Sequence, residues 1–196
     1  MTGGRMVMAV FAAVLAGFGF TMAPRAGYGQ DVAAPAALSG RFLLTDQDGR
    51  RVDQDSYRGK VRVMSFGYTY CPDVCPTTLA TIAAAMDKLG ADADQVVPIF
   101  VSVDPKRDSP SHLKEYLAAF DKRLVGLTGT DGEVAAAARN FHVRYTVNAP
   151  EGTADNYTVD HTAGVFIMDR DGRFLAKLGH LVTADDLAAR ILGYLK

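Results

Sequence analysis

From residue 41 onward the apolar positions follow two rhythms. Val61-Arg62-Val63-Met64-Ser65-Phe66 is a short run of strand formers, and behind it Leu79, Ile82, Ala83, Met86 and Leu89 recur at helical spacing. Val96, Val97, Ile99, Phe100, Val101 and Val103 make a nearly continuous run, the pattern of a strand covered on both faces. Pro98 is a misfit in a central strand, so pairing is expected to start after it or to bulge there. Asp108-Ser109-Pro110 caps a second helix whose Leu113, Leu117 and Phe120 share a face. Leu124 to Thr128 reads as a short strand. Thr130 with Glu133 has capping-box spacing and opens an Ala-rich third helix ending near Phe141. Val143 to Val147 reads as a further strand, and Asn148 to Asp155 as a polar loop.

Two hairpins bracket this middle. Arg41 to Thr45 and Arg50 to Val52 flank Asp48-Gly49, a short-turn signal. Ala163 to Met168 and Arg173 to Leu178 flank Asp169-Arg170-Asp171-Gly172. Thr183 with Asp186 starts a last helix carrying Leu187, Ile191 and Leu195. This order predicts an α/β, thioredoxin-like fold: a mixed central sheet flanked by helices, with an N-terminal β-hairpin.

The chain has 196 residues, 48% of them hydrophobic, enough for one domain with a proper core. The net charge of -1, with no basic stripe interleaved with aromatics, argues against a nucleic-acid partner. The start of the chain reads as a targeting segment. Arg5 is the only charge before an uncharged run from Met6 to Ala23, and Gly27-Tyr28-Gly29 offers small residues at signal-peptidase spacing, with cleavage before Gln30. The run sits near the length boundary between a signal peptide and a membrane anchor, roughly 20 apolar residues. The expected organisation is therefore residues 1–29 as signal peptide or anchor, 30–40 as an Ala/Pro/Ser-rich linker, and 41–196 as the folded domain. Either leader places the domain outside the cytoplasmic membrane, a periplasmic location where cysteines can be oxidised.

Both cysteines lie in Gly67-Tyr68-Thr69-Tyr70-Cys71-Pro72-Asp73-Val74-Cys75-Pro76, where a strand hands over to a helix. A residue before proline avoids the helical region, which puts Cys75 at the mouth of the helix with Pro76 as its first residue. Unpaired N–H groups and the helix dipole there favour thiolate, and Asp73 between the sulfurs works against it while no cation is bound. Three uses of this C-x-x-x-C loop stand open. A disulfide staple closes so small a loop that it gains little entropy. A thioredoxin-type exchange pair has two residues between its cysteines, not three. A metal site needs a third ligand. Of the four histidines, His112 reads as a solvent or capping residue of the second helix, His142 as structural at a helix end, and His180 as a loop residue. His161, in Asp160-His161-Thr162 just before a strand, sits at a junction that abuts the cysteine loop in a thioredoxin-like sheet.

The blocks GYTYCPDVCPTTL, FVSVDPKRDSP and YTVDHTAGVFIMDRDG, in this order and spacing, resemble the Sco/SenC family of copper-handling proteins from about Leu38 to the C-terminus. The resemblance implies a thioredoxin-like fold bearing an extra, inserted hairpin, and one copper ion, Cu(I) or Cu(II), bound by Cys71, Cys75 and His161. It further implies a metallochaperone, not an enzyme, that matures the dinuclear copper centre of cytochrome c oxidase, with the copper-receiving oxidase subunit as partner. Other periplasmic copper chaperones and thioredoxin-like reductases are further candidate partners, and many family members are tethered to the membrane. The alternative is a thiol–disulfide oxidoreductase that uses Cys71 and Cys75 to keep a partner's copper-ligand cysteines reduced. Around the three donors, Asp160 is a candidate orienting acceptor for His161, and Asp104 lies at a strand end close to the site. Asp73, Tyr68 and Tyr70 are candidates to line the site or meet a partner. The seven methionines form no Met-rich copper motif.

Overall fold

The computed structural model describes residues 38–149 and 156–196. The expected leader, its cleavage site, most of the linker and most of the polar loop after Asn148 lie outside the described residues. Among the described residues no helix is long and apolar enough to cross a membrane.

Among the described residues nine strands and four α-helices follow one another as β1 Leu43–Asp46, β2 Arg51–Asp53, β3 Val61–Gly67, α1 Val74–Lys88, β4 Val96–Ser102, α2 Pro110–Ala118, β5 Val125–Thr128, α3 Asp131–Asn140, β6 Tyr145–Asn148, β7 Thr158–His161, β8 Val165–Met168, β9 Phe174–Leu178 and α4 Ala184–Leu195. Seven strands form one sheet in the order β2-β1-β5-β4-β3-β8-β9, and β6 with β7 forms a separate two-stranded hairpin. The centre, β3-β4-β5, is parallel, while β1 and β8 join antiparallel on either side. This is the mixed, thioredoxin-like sheet expected from the sequence, with the N-terminal hairpin at one edge and the inserted hairpin off the sheet.

Every residue of β3 and of β4 is buried, and side-chain alternation sorts them into two apolar layers. Val61, Val63, Phe100, Val165 and Ile167 face α1, α2 and α4 through Leu79, Ile82, Leu113, Leu187 and Ile191. Met64, Phe66, Ile99, Val101 and Phe166 face α3 through Val134, Ala137 and Phe141. Leu38, which falls in the expected linker, already packs against this second layer. The Thr130–Glu133 capping box forms, and Thr183 caps α4 by accepting from the Asp186 N–H.

Three local expectations change. Pro98 lies within β4, opposite Val63 of β3, and β4 pairs with β5 only from Ile99. A parallel ladder draws N–H groups from alternate residues toward each side, so one missing donor where a single strand stands opposite is tolerated. Helix α1 starts at Val74 with Asp73 as N-cap, so Cys75 lies inside its first turn. The first four N–H groups of a helix have no partner within it, so Pro76 forfeits nothing at the third position. Within the expected Asp108-Ser109-Pro110 cap of α2, Ser109 is the residue that accepts from the His112 N–H. Finally, Thr158–His161 is a strand: the sequence reading placed His161 just before β8, whereas it ends β7.

Candidate metal centre

Strand β3 ends at Gly67, and the next six residues carry the chain over the end of the sheet into α1. Cys75 is buried and Cys71 half-buried; both are free thiols. Gly67 is what lets the Cys75 sulfur lie on the strand: a Cβ at Gly67 would come within 2.6 Å of Cys75 Sγ and 2.9 Å of Phe100 Cε2. From the other side β7 brings in His161, whose Nε2 stands 3.4 Å from Cys75 Sγ. Its Nδ1 lies 3.1 Å from the Val159 carbonyl oxygen. A carbonyl only accepts, so Nδ1 holds the ring proton and the Nε2 lone pair faces the sulfur. The chain then reaches β8 through Gly164, whose φ of +134° and near approach to Leu178 O, 2.6 Å from an added Cβ, leave room for glycine alone.

Cys71 is close enough to Cys75 to help raise its pKa. The three expected donors thus form a chain with Cys75 in the middle, and among the described residues no three His, Cys, Asp or Glu side chains already close around one point. A cavity of about 10 Å³ beside Cys75 and His161, bounded by Ser65, Thr78, Phe100 and Gly164, has room for one water-sized occupant. A larger groove of about 650 Å³ between Arg41–Leu43 and α3 carries none of these side chains.

Burial pushes the Cys75 thiol well above the ordinary range, with the neighbouring Cys71 and Asp108 adding to it against a backbone contact from Tyr68. This reverses the expectation that the helix mouth favours thiolate: at a sulfur only 3% exposed, lost hydration outweighs the dipole. The Cys75 thiol therefore faces the Nε2 side of the His161 ring, whose Nδ1–H is given to the Val159 carbonyl.

The flanking residues divide. Tyr68 is buried and meets the His161 ring edge-on at 5.9 Å. Tyr70 is 56% exposed and stacks on His112 at 5.7 Å. Asp73 is exposed and makes no side-chain capping bond. Asp160 is exposed on the outer face of β7, so it is not the acceptor that orients His161; Val159 O fills that role. Asp104 is buried and accepts from the Tyr157 hydroxyl at 2.7 Å and from Arg107 Nε at 2.5 Å.

Several residues around the site were not singled out from sequence. Asp108 is fully buried and accepts from the Thr69 N–H at 3.1 Å, the Thr69 hydroxyl at 2.6 Å and the Ser102 hydroxyl at 2.6 Å. It thereby ties the cysteine loop to the end of β4. Burial raises its pKa, and the Ser102 and Thr69 hydrogen bonds oppose that. Since Thr69 gives its hydroxyl proton to Asp108, it accepts from Nε2–H of His112 at 2.9 Å. His112 is thus a support of the cysteine loop, not the solvent or capping residue expected. Arg107 lies over the Tyr157 ring at 3.5 Å and the Tyr70 ring at 4.7 Å. Period-two spacing of Tyr157, Val159 and His161 was the available signal for a strand with one inward face.

Comparison with known proteins agrees with this architecture. A family model described as SCO1/SenC matches residues 30–196. Protein sco1 of fission yeast, Schizosaccharomyces pombe, is 38% identical over 159 residues, covering 80% of this chain and 60% of its own length. The structure of Bradyrhizobium japonicum ScoI with copper bound is 44% identical with a TM-score of 0.72, covering 79% of this chain and 97% of that one. BsSco, a member of the Sco family of cytochrome c oxidase assembly proteins in which a disulfide switch has been identified, is 28% identical with a TM-score of 0.64 over 84% of this chain and 98% of its own. The chain spans between 46% and 67% of the length of the curated relatives it matches. With the family model running across the folded domain and a relative this similar, the chain belongs to the SCO1/SenC family.

Proposed function

We propose that this protein is a copper metallochaperone: it binds one copper ion through Cys71, Cys75 and His161 and hands it to the dinuclear copper centre of cytochrome c oxidase. The observation that carries the reading is the approach of His161 Nε2 to Cys75 Sγ at 3.4 Å, with Nδ1–H committed to a backbone carbonyl. A metal-binding histidine needs its other nitrogen held in this way. Two sulfurs and an imidazole are the soft set that Cu(I) prefers. Cys71, in the loop that leads into α1, would supply the remaining donor. Three protein donors leave a coordination position for a ligand of the receiving oxidase subunit, so the ion passes by exchange without being set free. No turnover is required of such a protein. Relatives with copper bound, and one named for oxidase assembly, support the assignment. The leader read from the sequence supports a periplasmic domain, freed by cleavage or tethered.

A second reading, thiol–disulfide exchange with a partner's copper-ligand cysteines, is favoured by one feature. A half-exposed Cys71 stands in front of a buried Cys75, as an attacking thiol stands before a resolving one. His161→Ala separates the two. It is expected to abolish tight copper binding, measured by competition with a chelator, and to leave disulfide exchange largely intact. Parental copper affinity in His161→Ala removes the histidine from the ligand set and with it the delivery model. Cys71→Ser and Cys75→Ser are each expected to remove both activities.

A further inference from the structure

The hairpin that carries His161 shares no ladder with the seven-stranded sheet. Apart from the short link to β8 through Gly164, side-chain contacts therefore hold the imidazole against the core. Val159 packs into one apolar layer. At the foot of β7, Tyr157 donates its hydroxyl to Asp104 Oδ1 at 2.7 Å. Asp104 Oδ2 takes the Arg107 Nε–H at 2.5 Å, and Arg107 Nη1 donates back to the Tyr157 carbonyl at 3.0 Å. The guanidinium also lies over the Tyr157 ring at 3.5 Å and reaches the Tyr70 ring at 4.7 Å. Three segments are joined in this way: the end of β4, the cysteine loop and the start of the histidine strand. Asp104 is only 3% exposed and the Arg107 side chain 14%, so these charge-assisted bonds are little weakened by water.

We infer that Tyr157 and Arg107 are positioning residues for the third copper donor, holding the histidine hairpin against the cysteine loop so that Nε2 is preset over Cys75; the inference rests on the copper reading above. Val159 and His161 lie on one face of β7 and Tyr157 directly precedes it, four positions before His161, a span of ~13 Å for extended chain. A small tilt at the foot is therefore a displacement of the donor at the tip. Presetting removes an ordering cost from copper binding and slows release, since most differences in affinity between related complexes appear in the off-rate.

The test measures release of Cu(I) from the reduced, loaded protein into excess bathocuproine disulfonate by stopped flow. Tyr157→Phe deletes only the oxygen that meets Asp104, and Arg107→Lys keeps the charge but loses the fork. Each is expected to release copper about tenfold faster than the parent, the change expected from one charge-assisted bond. In a His161→Ala background, where Cu(I) is held only weakly by the two cysteines and binding is read by chelator competition, the same substitutions are expected to change nothing, because the donor they position is gone. Parental release from Tyr157→Phe, or the same acceleration in both backgrounds, overturns the inference while leaving the ligand set standing. His161→Ala releasing copper at the parental rate instead overturns the copper reading beneath it. If Arg107→Lys does not fold, Tyr157→Phe carries the test alone.

Discussion

Gly67→Ala is the sharpest probe of how the Cys75 sulfur is held. The glycine is not in the left-handed region, so its backbone accepts alanine, and in a strand interior the exchange by itself is worth about 0.5–1 kcal/mol of added stability. The new methyl, however, falls 2.6 Å from Cys75 Sγ and 2.9 Å from Phe100 Cε2, where ordinary contact begins at 3.4 Å. The sulfur must move by much of the difference, and it hangs on a single bond from a residue in the first turn of α1. On its far side the Phe100 ring belongs to a layer that includes Leu79 and Leu113 and has little slack. Overpacking of this kind costs ~1–3 kcal/mol. The net loss is about 1 kcal/mol, a fall of ~2–4 °C in Tm for a domain of this size. Copper binding is expected to suffer more than stability, by about 10–100-fold, because the displaced atom is the middle donor of the set. Calorimetric melting and chelator competition on the same preparation measure both. A variant that gains stability and binds copper like the parent refutes the packing of the sulfur on Gly67.

Three further outcomes follow from the charges near and away from the site. Asp108→Asn replaces one of the two oxygens that accept from Thr69 and Ser102 with an amide donor and is expected to cost ~1–3 kcal/mol by urea unfolding. Because burial raises the folded pKa of Asp108, its stabilising effect is greatest below the unfolded carboxyl pKa and is lost as the pH rises through the folded value. The penalty of Asp108→Asn therefore shrinks as the pH rises, and a penalty that grows contradicts the burial argument. Glu133 is held down to about 2, chiefly by its hydrogen bond with Arg51 and then by the Thr130 backbone. Its contribution is present above the usual carboxylate range and lost as the pH falls toward 2, so Glu133→Gln should flatten the acid limb of the stability profile; an unchanged limb discounts the Arg51 pair. Burial keeps Cys75 protonated at neutral pH, so copper ligation must expel its proton. Affinity is expected to fall as the pH is lowered, and pH-independent uptake in a chelator competition removes the Cys75 thiolate from the site.

Much of the fold could be read from the sequence because its decisive signals are local. Period-two alternation, capping boxes and the Asp48-Gly49 turn each reside within a few consecutive residues, and strands and helices fell close to where they were expected. Pro98 and Pro76 show where a local rule is outvoted. Each proline was read as a boundary, yet each loses only an N–H that its surroundings do not use, at a position with one neighbouring strand or in the first turn of a helix. The same holds for Cys75. The dipole argument was correct in sign, but burial depends on Phe100, Tyr68 and Gly67 coming together, which no short window reveals.

The supports of the site were hidden for a related reason. Asp108, Thr69, Ser102 and His112 hold the cysteine loop from three separate segments, and Asp104, Arg107 and Tyr157 bring in a fourth. A sequence marks donors of unusual chemistry, such as paired cysteines and a histidine at a strand junction, but not the ordinary polar residues that aim them. Aim is what the inserted hairpin makes demanding here. The cysteines are attached to β3 and α1 at the centre of the fold, whereas the histidine arrives on a two-stranded arm that the sheet does not hold. A donor set divided between a rigid half and a separately anchored half can be opened from one side without unfolding the other. Under the copper-carrier reading proposed above, an ion must be held tightly and then released to a partner, and the division then assigns the adjustable element to the contacts at the foot of β7 and not to the bonds of the cysteine loop.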